Sequence, residues 1–154
     1  MSRIFVSALI LAAAMLLFTR PASAATLTLT ITNIKNPIGV IRLCVFSAKA
    51  SVPSVYPDCA AGRPVKELEI AVTAHTAQAS IADLPDGVYA ISLFHDENAD
   101  GRMTMKSMMG LTMPIPREGI GISNNPILLG KPDFEDARFL VKGDTAVSIE
   151  MKYF

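Results

Sequence analysis

Residues 26–32 read Thr-Leu-Thr-Leu-Thr-Ile-Thr, and this strict alternation constrains the fold more than any other feature of the chain. Successive side chains of a strand point to opposite faces, so Leu27, Leu29 and Ile31 share one face and the threonines the other. A sheet with one dry and one wet face is the natural home for such a segment. The same period recurs downstream. Residues 40–46 set Ile41, Leu43 and Val45 opposite Arg42, Leu68, Ile70 and Val72 make a third run, and residues 77–84 a fourth. Residues 73–76 between the last two suit a hairpin. Leu84-Pro85-Asp86-Gly87 is a turn, because proline presets φ and glycine accepts positive φ. It leads into a strand over residues 88–95.

Residues 137–141 and 145–153 read as a closing hairpin around Lys142-Gly143-Asp144, with Val147, Ile149, Met151 and Tyr153 on one face. About seven short strands and no amphipathic helix predict an antiparallel β-sandwich, immunoglobulin-like or transthyretin-like. A small closed barrel is the alternative. Residues 96–136 show little periodicity and read as one long loop, a length that usually signals function, disorder or an element without a clear period.

The first 24 residues have the layout of a cleaved signal peptide: Arg3, an apolar run over residues 4–18, then Ala22-Ser23-Ala24. That run has 15 residues, short of the roughly 20 that a spanning helix needs. Cleavage after Ala24 leaves residues 25–154 as one domain, periplasmic or secreted, with no membrane span. Its 12 basic and 14 acidic residues leave no cationic surplus for nucleic acid. Cys44 and Cys59 read as a disulfide that pins the Pro- and Ser-rich 48–64 loop. In the chain-entropy model such a closure contributes about 3 kcal/mol.

Three stretches could carry chemistry. Asp96-Glu97-Asn98-Ala99-Asp100-Gly101 places oxygen donors at alternate positions before a glycine, as a calcium loop does. Asp96, Asn98 and Asp100 would be joined by the Arg102 carbonyl, by Thr104 and by a remote Glu118. Ser107 stands where an EF-hand needs a bidentate glutamate, so the loop is not an EF-hand. A turn held by local side-chain to backbone bonds is the plainer reading. Met103, Met105, Met108, Met109 and Met113 are five of the eight methionines. Thioethers suit Cu(I), with His95 as a further ligand, and an apolar flap is the alternative.

The third stretch, residues 118–125, offers Ser123, Asn124 and Asn125 as lining for a polar pocket. Ser123 served by His95 and Asp96 would be a hydrolase centre. The alternative is that these groups satisfy backbone in a buried loop. His75 reads as a surface residue, and Tyr89 as a corner tyrosine.

Leu84-Pro85-Asp86-Gly87-Val88-Tyr89, Phe94-His95-Asp96-Glu97-Asn98, Glu118-Gly119-Ile120-Gly121-Ile122-Ser123-Asn124-Asn125 and Pro132-Asp133-Phe134 together resemble the exported bacterial proteins grouped as domain-of-unknown-function family 2141. The resemblance implies an envelope or secreted β-sandwich, and Cys44 and Cys59 fit a subset with a cysteine pair after the second strand. The chain departs from the usual pattern at Thr104, where aspartate is common, and at Ile120 and Ile122, where aromatics are common. The expected function is a non-catalytic binding or structural module of the envelope, with an envelope protein or small ligand as partner and calcium as a stabilising ion. A copper-binding protein and a Ser123–His95 hydrolase are the alternatives.

Overall fold

The computed structural model describes residues 25–154; the signal peptide expected over residues 1–24 lies outside the described residues. The chain is nearly all strand. β1 (Ala25–Thr32), β2 (Val40–Ser47), β3 (Lys66–Ala71), β4 (Ala77–Leu84) and β5 (Gly87–Asp96) follow the alternating runs. β6 (Met105–Met108), β7 (Leu111–Pro116) and β8 (Ile120–Ile122) occupy the stretch expected to be a loop. A short helix, α1 (Phe134–Ala137), precedes β9 (Phe139–Val141) and β10 (Thr145–Glu150).

Two sheets carry the fold. One is ordered β10-β1-β4, and the other β3-β2-β5-β8 with β9 also on β5. Leu27, Leu29 and Ile31 from the first sheet meet Ile41, Leu43, Val45, Ile91 and Leu93 from the second in one buried core. Each such side chain contributes about 2 kcal/mol on leaving water. The outer face of the second sheet is also covered. Cys44, Phe46 and Ala90 lie under Tyr56 of the 48–64 loop and under Phe134 and Ala137 of α1. The Cys44–Cys59 disulfide fastens that loop, and the Tyr56 ring meets Phe46 and Phe134 edge-on. Burial on both faces explains why β2 and β5 read as more continuous apolar runs than β1.

Two expected hairpins are absent. β3 pairs with β2 and β4 with β1, so residues 72–76 carry the chain from one sheet to the other. Likewise β9 pairs with β5, whereas β10 runs parallel to β1. Turn residues announce that the chain reverses, but sheets stacked about 10 Å apart let a short turn cross layers instead of closing a hairpin. The sheets are therefore antiparallel except for the β1–β10 pair. β8 and β9 share one edge of β5, opposite residues 92–94 and 87–89 respectively. β6 and β7 pair with each other alone, as a separate two-stranded sheet. Tyr89 is a corner tyrosine as expected: its hydroxyl donates to the Pro85 carbonyl at 2.7 Å. His75 is exposed and its Nδ1 lies 2.8 Å from the Ile34 carbonyl oxygen.

Candidate functional site at the end of β5

β5 delivers His95 and Asp96 to opposite faces of the sheet, and both are fully buried. Asp96 is clamped. Its Oδ2 accepts from Arg42 Nε at 2.8 Å and from the Gly101 amide at 2.8 Å, and its Oδ1 accepts from the Asp100 amide at 3.1 Å. Arg42 sits opposite Phe94, so Asp96 is its diagonal neighbour on the same face, within reach of a long side chain. On its other side Arg42 is paired in register with Glu69, to which Nη1 bonds at 2.8 Å. A carboxylate–guanidinium–carboxylate row thus crosses three strands. Burial alone would push the Asp96 carboxyl up; the Arg42 bond and the two amides outweigh it and hold the carboxyl below the ordinary range. The Asp96 bond also holds Arg42 above its usual value.

The rest of the acidic loop turns on itself. Asn98 Nδ2 donates to Asp100 Oδ2 at 2.8 Å, and the Arg102 amide donates to Asp100 Oδ1 at 2.8 Å. Thr104 contributes its amide, not its hydroxyl, to Glu118 Oε2 at 2.9 Å. Glu118 is only 7 % exposed. Its burial and the neighbouring charges of Asp96, Asp100 and Glu97 raise its carboxyl above the ordinary value despite the Thr104 amide. Asp96, Asn98, Asp100 and Arg102 are thus joined by their own donors, and Thr104 and Glu118 form a second pair near enough for Glu118 to feel the Asp96 and Asp100 charges. Among the described residues no three His, Cys, Asp or Glu side chains are gathered closely enough to hold one metal ion.

His95 faces inward. Its Nε2 lies 2.8 Å from the Ile38 carbonyl oxygen, which can only accept, so Nε2 carries the proton. Nδ1 is then the acceptor for the Tyr153 hydroxyl at 2.9 Å. That hydroxyl in turn accepts the Lys35 amide at 2.9 Å. Both ring nitrogens are thus engaged by groups of the protein rather than by a methionine or Ser123. Ser123 lies beside Ile91, about 13 Å from His95 along β5. Its hydroxyl donates to the Ala137 carbonyl and accepts the Ile91 amide at 2.8 Å.

Asn124 and Asn125 do not line a pocket with Ser123. Asn124 Nδ2 donates to the Asp136 carbonyl at 3.0 Å. Asn125 Nδ2 donates to the Ser148 carbonyl at 3.0 Å, and its Oδ1 accepts the Glu150 amide at 2.8 Å. Asn125 thereby stitches the end of β8 to β10 in the other sheet. The nearby glycines serve close packing. A Cβ on Gly119 would strike the Tyr153 ring, and one on Gly121 would stand 2.7 Å from Leu93 and 2.8 Å from Ile149.

Sequence reasoning missed Arg42, Glu69 and Tyr153 as members of this rim. Alternation did place Arg42 off the core face; the missing step was the β2–β5 register that sets it beside Asp96.

These features define a nearly all-β, sandwich-like domain with a disulfide-bonded covering loop and a polar rim at the end of its central strand. The chain belongs to the family described as an uncharacterized protein conserved in bacteria (DUF2141), whose model matches residues 29–150. No curated protein and no solved structure matches the chain.

Proposed function

We propose that the protein is an exported, non-catalytic binding or structural module of the cell envelope. One observation supports this above others. The groups best suited to chemistry, namely Asp96, His95 and the Ser123 hydroxyl, are engaged by the protein's own donors and acceptors. The disulfide suits an oxidising compartment, and no described helix is long and apolar enough to cross a membrane. A screen of ester, amide and phosphoester substrates with wild type and Ser123→Ala tests the reading. It expects the two to behave alike; turnover lost in Ser123→Ala would replace it with a hydrolase.

Calcium as a stabilising ion of the rim is a second reading. It rests on the four mutually repelling carboxylates of Asp96, Glu97, Asp100 and Glu118, which outnumber the Arg42 charge beside them. Millimolar Ca²⁺ should raise the Tm of wild type and not that of Asp100→Ala, each compared with its own metal-free Tm. An unchanged wild-type Tm would remove calcium from the account.

A further inference from the structure

The β6–β7 hairpin is built against the usual economy of a soluble domain. Its tip is apolar and open to water: Met108 is 63 %, Met109 96 % and Leu111 69 % exposed. Met103, Met105 and Ile115 are exposed behind it. Met108 pairs with Leu111, and the two residues between them have positive φ, 51° at Met109 and 79° at Gly110. That is the backbone of a type I′ turn, where asparagine or aspartate is the ordinary companion of glycine. Methionine at this corner satisfies no need of the turn and packs against nothing inside the domain. Folding does not account for it.

Charge adds a direction. From Arg102 to Arg117 the hairpin carries Arg102, Lys106 and Arg117 and not one carboxylate. None of these three takes part in an ion pair among the described residues. Lys106 and Arg117, with Met105 and Ser107, line an open cavity of about 330 Å³ on the hairpin. Lys106 stands three residues behind Met109, about 10 Å along a strand. Apolar groups that settle in a bilayer interface sink about 5–10 Å, with basic side chains held at the headgroups. The hairpin has that order: an apolar tip, then a cation at phosphate depth, then two more at the base.

We propose that this hairpin docks the protein on an anionic phospholipid surface. The Met108, Met109 and Leu111 tip enters the headgroup–acyl boundary, and Lys106 and Arg117 take a lipid phosphate between them. This makes a membrane surface the partner of the binding module; the hairpin's base adjoins the rim but its apolar tip and Lys106 lie outside it, so either reading can fail alone.

The chain has no tryptophan, so Met109→Trp provides a single reporter in the full-length protein. Its emission should shift to the blue with phosphatidylglycerol-containing vesicles and be quenched by brominated acyl chains. Sedimentation with the same vesicles should weaken by at least about tenfold in Met108→Ser/Met109→Ser/Leu111→Ser, since three apolar side chains no longer leave water. Lys106→Glu/Arg117→Glu should cost about fivefold or more per cation and flatten the salt dependence. The N-terminal apolar run is common to every variant, so the signal of the introduced tryptophan isolates the hairpin.

Unchanged tryptophan emission with phosphatidylglycerol vesicles overturns the proposal. So does an equal response to pure phosphatidylcholine vesicles that the charge variant leaves intact. A blue shift of the introduced tryptophan that depends on protein concentration without lipid would show a second copy covering the tip, and would overturn it equally.

Discussion

The 96–101 loop and the β6–β7 hairpin are neighbours in the chain and invert ordinary burial in opposite senses. In the loop a carboxylate is wholly inside, and each of its contacts is a donor from the protein. In the hairpin, Met108, Met109 and Leu111 are outside. A buried polar group must be satisfied internally or it costs stability, so the loop is explained by the fold alone. Exposed apolar side chains confer no such benefit and point to something outside the domain. Reading both regions as parts of one site, as the composition of residues 95–125 invites, would miss that division.

Breaking the loop should have the largest effect. Asp96→Ala leaves Arg42 and two amides without their acceptor, and we expect a loss of about 3 kcal/mol in urea or thermal unfolding. A loss below about 1 kcal/mol would mean that the clamp is no more important than a surface pair. Gly39→Ala should come next. Gly39 has a φ of 70°, and a Cβ there would collide with the Asp96 carbonyl and the Glu97 backbone. Backbone strain of about 2 kcal/mol is expected, measured the same way.

The pH dependence sharpens the loop further. Asp96 has its carboxyl held low, so its contribution is present above pH 3.8, its ordinary value, and is lost as pH falls further. Glu118 runs the other way: its raised carboxyl means that stability declines as pH rises above 4.5 through its folded value. Glu118→Gln should therefore be more stable than wild type at pH 7, with the difference shrinking toward about pH 4. The hairpin should give the smallest response. Met109→Asn is expected to change stability by less than about 0.5 kcal/mol, or to raise it slightly, because asparagine suits the turn better. A large loss there would show that the tip is packed in solution, and the contrast between the two regions would vanish.

Much of the scaffold was legible from alternation. β4 begins and ends at Ala77 and Leu84 as the pattern says, and β1, β2 and β5 extend their predicted runs by one or two residues. β6, β7 and β8 were not legible. They are short and rich in methionine, proline and glycine, and no apolar period marks them in the sequence. The rim was half legible. Asp96, Asn98, Asp100 and Glu118 announced themselves as oxygen donors. Arg42 looked like one more solvent-facing residue of an alternating strand, although it supplies the positive charge that the carboxylates were expected to seek in calcium.

The amino-acid order alone determined where the chain extends, which faces of β1, β2 and β5 turn inward, and that Cys44 and Cys59 are the pair to be joined. Those properties follow from side-chain period and local backbone preference, which act over a few residues. Strand partners, the parallel β1–β10 pair and the meeting of Arg42 with Asp96 were decided by the tertiary structure. They depend on register between segments distant in the chain, 54 positions for Arg42 and Asp96 and 118 for Leu27 and Thr145. Such register is fixed only when two sheets close on a common core and every buried donor must find its acceptor.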